Sequence, residues 1–197
     1  MDEGFLDQGK LPKIKKKRVV KEVAVSLANP ALLGEDWKRF METLWRYEYL
    51  DEEQTDDVYA RECWWRRKNA VLYLLFQFHS GNRPHETLSM TYGDVEIDEY
   101  EASDGTKVKR GVIKIPTATK TGGGTSVMKG SYVQRVLDHF QQFQHPKWLK
   151  HQLDDKTPLF MNPDSGKSYS AQSFYDHFKE IIRLAGLEGK GYTVYSL

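Results

Sequence analysis

The stretch FHSGNRPHETLSM, Phe78 to Met90, ends an apolar helical run, turns, and restarts at once as a second amphipathic helix, with Arg83 at the junction. Ser80-Gly81-Asn82 stop the first helix, since Gly and Asn tolerate the left-handed conformation of a helix C-terminus. An arginine held between two packed elements is placed to grip an anion, because a guanidinium donates two parallel hydrogen bonds to a phosphate. Glu86, one helical turn on, can orient Arg83 or the neighbouring backbone. The alternative reading is an Arg83–Glu86 pair that only holds the turn together.

Working outward, the helix before this turn is expected from Asp56 to about His79, with Val71, Leu74, Leu75 and Phe78 on one face and an apolar run continuous enough to make it central. Upstream, GEDWKRFMETLWRYEYL spaces Trp37, Phe40, Met41, Leu44 and Trp45 on one helical face, and places Glu35 and Asp36 at the positive helix end. After the short helix from Pro84 to about Met90 the period changes. Tyr92–Ile97, Lys107–Pro116 and Ser126–Lys129 read as short strands, with turns at Asp104-Gly105 and Thr121–Gly124. Helical spacing returns from Ser131 to about Phe143, Asn162–Gly166 is a turn, and Ser170 caps a last helix carrying Phe174, Phe178, Ile181 and Ile182 before Gly186. The fold class expected is α+β and mainly α-helical, with a small three-stranded antiparallel sheet.

Composition bounds the function. The chain has 197 residues, enough to bury a real core, and 39% hydrophobic residues beside 29% charged ones describe a soluble globular protein. Its apolar runs fall short of the roughly 20 residues that cross a bilayer and its N-terminus lacks a signal-peptide core, so an intracellular, cytoplasmic location and no membrane partner are expected. A single Cys63 excludes a disulfide framework and a cysteine-based zinc site, and the 6 histidines show no ligand spacing; no metal or cofactor is expected. Net charge is only +1, but Lys13, Lys15, Lys16, Lys17 and Arg18 crowd the first thirty residues. That cluster reads either as a footprint for a DNA backbone or as a solvated linker. Residues 1–30 are accordingly set apart as a basic arm, and 31–197 as the compact domain.

Two further stretches carry chemistry. Lys120 stands on the lip of a glycine-rich hairpin, TKTGGGT; it is not a phosphate-binding P-loop, in which the lysine follows the glycines and opens a helix. Taken alone it is an ordinary hairpin charge or a lysine able to reach a leaving group. The final GYTVYSL follows the last helix as an apolar-aromatic run, without a charged tail.

Together these features resemble the catalytic domain of the tyrosine recombinase (phage integrase) family. There a helix ends in Gly-x-Arg-x-x-Glu, matched by Gly81, Arg83 and Glu86. A leucine follows, then a second leucine, then Asp and Val or Ile; the matches are Leu88, Thr91 in the second leucine's place, and Asp94-Val95. Lys-Thr-Gly in the last turn of the sheet is matched by Lys120-Thr121-Gly122, and a Leu-Phe before a glycine turn by Leu159-Phe160 and Gly166. The closing His-x-x-Arg box is met only by Tyr195-Ser196-Leu197, with tyrosine where histidine is usual and the second arginine one position beyond.

The resemblance implies a metal-free transesterification, in which a tyrosine hydroxyl attacks a DNA phosphodiester to give a 3'-phosphotyrosyl intermediate. It makes Arg83 a clamp on the non-bridging oxygens, Lys120 the general acid and Tyr195 one hydrogen bond to phosphate, with Glu86 bracing the fold around Arg83. It implies double-stranded DNA as partner, a tetramer on DNA, and a bacterial cell or phage-infected host. None of the 11 tyrosines stands in the nucleophile's register, so this chain is expected to bind DNA and not to cleave it alone. Two other readings stand beside it: a non-catalytic DNA-binding or regulatory remnant of a recombinase, and an unrelated α-rich domain in which Arg83 and Lys120 are ordinary surface charges.

Overall fold

The computed structural model describes residues 30–48, 58–117, 122–142, 153–162 and 164–197. Its elements are α1 (Gly34–Tyr47), α2 (Val58–Ser80), α3 (Pro84–Ser89), β1 (Val95–Glu101), β2 (Lys107–Ile115), β3 (Gly124–Lys129), α4 (Gly130–Gln142), β4 (Met161–Asn162), β5 (Lys167–Ser168) and α5 (Ala171–Leu184), with single 3-10 turns at Tyr92–Asp94 and Val194–Ser196. The mainly helical α+β class with a three-stranded antiparallel sheet, ordered β1-β2-β3, is the one expected.

The core is built around α2. Ala70 to Phe76 are buried at every successive position, so this part of the helix is enclosed on all sides. Tyr73 stacks on Phe174 of α5 at 4.0 Å and meets Phe160 edge-on at 5.3 Å, and Phe76 meets Phe160 at 5.7 Å. These offset and T-shaped contacts suit the ring quadrupoles and lock α2, α5 and the approach to β4 together. Phe78 departs from the expected buried stripe: it is 38% exposed and its ring lies against Trp37 of α1 at 4.3 Å. The helix is leaving the core by that turn.

On α1, Phe40 and Leu44 are buried while Trp37, Met41 and Trp45 pack against the core from its edge. In the sheet, Val95, Ile113 and Met128 are buried, and α4 covers that face with Val133 and Val136. Val95 pairs with Ile113, and Val112 with Val127. The first strand begins later than its sequence pattern suggests. Tyr92–Asp94 form a 3-10 turn because the Asp94 carboxylate accepts hydrogen bonds from both the Thr91 N–H at 2.8 Å and the Thr91 hydroxyl at 2.9 Å, which curls the backbone.

At α5, Ser170 is the N-cap as expected, its hydroxyl accepting from the Ser173 N–H at 3.3 Å. Phe174, Phe178, Ile181 and Ile182 are buried, and the helix closes on Gly186 at φ 67°. Replacing Ser170 by Ala is expected to lower stability by about 1 kcal/mol, or roughly 2–4 °C in a melting scan, and Ser170→Gly by only a few tenths. No helix among the described residues is long and apolar enough to cross a membrane.

Candidate functional site

Arg83 lies where α2 hands over to α3, and three features fix its main chain. Gly81 takes φ 67° and its N–H donates to the Gln77 carbonyl at 2.9 Å, so the turn reverses without a Cβ clash. Pro84 at the first position of α3 holds Arg83 in an extended conformation, φ −72° and ψ 152°. The Glu86 carboxylate accepts from the Arg83 N–H at 2.9 Å, while the Arg83 carbonyl accepts from the Thr87 N–H at 3.0 Å. Glu86 is 3% exposed and meets Arg83 at its backbone N–H, while the Arg83 side chain is exposed. Of the two roles open from sequence, this bond is that of a brace on the backbone.

The other end of the chain folds back to meet this turn. Arg83, Asn82 and Pro84 share a cleft of about 140 Å³ with Val194, Tyr195 and Leu197. Tyr195 is 55% exposed beside buried Val194. Its backbone is held by the Thr193 hydroxyl, which accepts from the Tyr195 N–H at 3.2 Å, and by Ser196, whose hydroxyl accepts from the Thr193 N–H at 2.9 Å. Tyr175 stands beside it: burial, then the neighbouring Tyr195 and a hydrogen bond to it, hold the Tyr175 hydroxyl above its ordinary pKa. Tyr73, pushed up by burial first, lies under the same cleft, its hydroxyl 3.5 Å from the Pro84 carbonyl. Tyr73 and Tyr175 therefore keep their protons at neutral pH and add no negative charge next to the cleft.

Two groups here carry no sequence signal. Asn82, 6% exposed, has a buried Nδ2 without a hydrogen-bond partner among the described residues, and Gln77, also 6% exposed, has a buried Oε1 in the same condition; both side chains line the cleft. Unpaired buried polar atoms are rare enough in native folds to mark a place where a ligand group can bond. Asn82 reads in the sequence only as a helix terminator. Its place in the cleft depends on Val194 and Tyr195, which line it from more than a hundred residues away.

Of the expected site residues, the structure therefore brings Arg83, Glu86 and Tyr195 to one place. Lys120 lies outside the described residues, as do Lys13, Lys15, Lys16, Lys17 and Arg18. After the undescribed residues 118–121, Gly122 and Gly123 take φ 77° and 90°, and a Cβ on Gly123 would come within 3.2 Å of the Thr117 Cα. Among the described residues no group of three or more His, Cys, Asp or Glu could hold a metal ion.

With this geometry in place, the fold is that of a tyrosine-recombinase catalytic domain. The chain matches a solved structure described as the XerH site-specific recombinase bound to palindromic difH substrate in a post-cleavage complex, with a TM-score of 0.56 and 16% sequence identity. The match covers 84% of this chain and 38% of that one, so this chain spans well under half of its structural neighbour. At that identity the likeness is one of fold. No protein-family model matches the sequence, and no curated protein does.

Proposed function

We propose that this chain grips the phosphate backbone of duplex DNA with the Arg83–Tyr195 cleft, as part of a site-specific recombinase or integrase of the tyrosine type. The observation that carries the reading is an exposed arginine, its backbone N–H and carbonyl both hydrogen-bonded, that shares one small cleft with Tyr195 and with Asn82 and Gln77, each of which holds a buried amide atom without a partner among the described residues. An exposed guanidinium on a fixed backbone can meet a phosphate with two parallel hydrogen bonds, and a cleft of about 140 Å³ suits a group of that size. The order of motifs around Arg83 and Lys120 and the fold shared with a DNA-bound recombinase support the same reading.

In the parent chemistry Arg83 neutralises charge on the phosphorane, Tyr195 donates one hydrogen bond and Lys120 protonates the departing oxygen. Residues 1–30 form the basic arm that tracks DNA, and 31–197 the catalytic-type domain. None of the 11 tyrosines present stands in the register of the family's nucleophile, and these 197 residues by themselves are proposed to bind DNA without cleaving it. A non-catalytic occupant of recombination sites is the second reading, favoured by Tyr195 standing where the family has histidine.

The test is binding of the chain to a short duplex across a salt series, beside Arg83→Ala. Each neutralised phosphate contributes a slope of about −0.9 in log K against log salt, so the variant is expected to bind roughly tenfold more weakly with a slope shallower by about 0.9. Affinity indifferent to Arg83 would sink the reading. A DNA strand covalently attached to the polypeptide would overturn its second half.

A further inference from the structure

Asp36 reads in the sequence as an acidic residue complementing the N-terminal end of a helix, and its structural surroundings ask more of it. Its carboxylate accepts from Lys190 Nζ at 2.8 Å and 2.6 Å, one contact to each oxygen, and Oδ2 accepts from the Tyr192 hydroxyl at 2.6 Å. Both partners belong to the segment that ends in the cleft. Lys190 sits between Gly189 and Gly191, at φ 79° and 74°, conformations that glycine adopts without strain and other residues resist. The segment therefore needs an external tie to hold one path. Four residues after Tyr192, the Ser196 carbonyl accepts from the Leu32 N–H at 3.0 Å, just ahead of α1. Residues 190–196 are thus fastened to the N-terminal end of α1 at both ends, and Tyr195 hangs between the two ties.

We infer that Asp36 is a positioning residue for the cleft: by holding Lys190 and Tyr192 it sets where Tyr195 stands relative to Arg83. The inference rests on the DNA-binding reading above. An isolated surface ion pair contributes little to stability, because it is screened and orders two long side chains. This one has three hydrogen bonds from two donor groups on one carboxylate, a 19% exposed acceptor and a glycine-flanked lysine, so its effect falls on geometry more than on global stability. Lys190, then Tyr192, holds the Asp36 carboxyl below its usual pKa, which keeps the tie charged throughout the neutral range.

The experiment uses the 197-residue chain, Asp36→Asn, and the charge-exchanged double variant Asp36→Lys with Lys190→Asp. Three readouts are taken: amide exchange at Leu32, the NMR signals of the Tyr195 ring, and affinity for a short duplex. Asp36→Asn should speed Leu32 exchange by about tenfold through local opening, shift the Tyr195 ring signals and weaken duplex binding about threefold, with the melting temperature nearly unchanged. The double variant should restore all three toward the starting values, which a merely local loss of packing would not do. Unchanged Leu32 exchange and Tyr195 signals in Asp36→Asn would overturn the inference, and so would altered signals with unaltered DNA affinity. If the unsubstituted chain shows no Arg83-dependent binding, the functional reading fails separately. The exchange and ring signals, which need no DNA, then decide whether Asp36 places Tyr195.

Discussion

Gly111→Ala is expected to destabilise the chain by about 3 kcal/mol, at the upper end of what overpacking a close-fitted core costs. Gly111 lies in the middle of β2, paired with Ile97 on one side and Met128 on the other. A Cβ there would come 2.1 Å from Val133 Cγ2 and 3.1 Å from Val133 Cβ, with Met128 Cγ at 3.4 Å. Val133 is fully buried on α4, and a β-branched side chain in a helix has one strongly preferred rotamer. Turning Cγ2 away would still leave the two Cβ atoms too close. Relief requires Val133 to leave its rotamer and α4 to give by a few tenths of an ångström against a core packed around Ile113 and Val136. The smaller entropy of an unfolded chain carrying Ala in place of Gly offsets less than about 1 kcal/mol of this.

A double-mutant cycle checks the cause. Val133→Ala alone should cost about 2 kcal/mol by opening a cavity. Combined with Gly111→Ala it should cost clearly less than the sum, because the new methyl occupies the space that the valine vacates. Denaturant midpoints of the four proteins measure the coupling. Additive losses would mean that Gly111 matters for strand backbone and not for helix docking.

Gly111 also shows where a sequence stops being readable. A glycine inside a strand pattern signals a close approach by something, yet no local pattern names Val133, twenty-two positions on, as the approaching group. Long periodic segments are the opposite case. The apolar run of α2 and the i, i+3, i+4 spacing of α5 have one solution each, and both helices lie where the pattern puts them, within the ends that capping decides. β1 is intermediate. Its EIDEYE run has weak intrinsic preference for a strand, and it extends to Glu101 where cross-strand pairs, Arg110 with Asp98 and Lys114 with Glu96, meet its charges.

The candidate site divides along the same line. Arg83 and Glu86 were legible because they share one turn with Pro84 and Gly81, where local chemistry dictates the backbone. The tyrosine across the cleft was legible only through a family resemblance, since Tyr195 reaches Arg83 by way of a tie to α1. Asp36 and Lys190 are 154 positions apart in the chain, and no spacing rule joins them. Asn82 and Gln77 read in the sequence as ordinary helix-end residues, and only the fold brings them to one cleft with Val194 and Tyr195.

Glu86→Ala and Glu86→Gln should separate the two things that this carboxylate does near an anion site. Removing the side chain leaves the Arg83 N–H unpaired at a partly buried helix start and is expected to cost about 2 kcal/mol, or roughly 4–8 °C. Gln keeps an acceptor at nearly the same place, so its loss should be smaller by at least half. DNA affinity should respond differently. Both substitutions delete one negative charge beside the arginine proposed to bind phosphate, which by electrostatics alone would tighten binding in both, and more so at low salt. Only Ala also frees the Arg83 backbone that the cleft depends on. Glu86→Gln is therefore expected to bind duplex DNA at least as tightly as the starting chain, and Glu86→Ala more weakly than Glu86→Gln despite an identical charge. Melting scans and a salt series on the two variants measure the two effects separately. Equal affinity in Ala and Gln would show that Glu86 acts on the site through its charge alone, and that the fixed backbone of Arg83 contributes nothing to the grip.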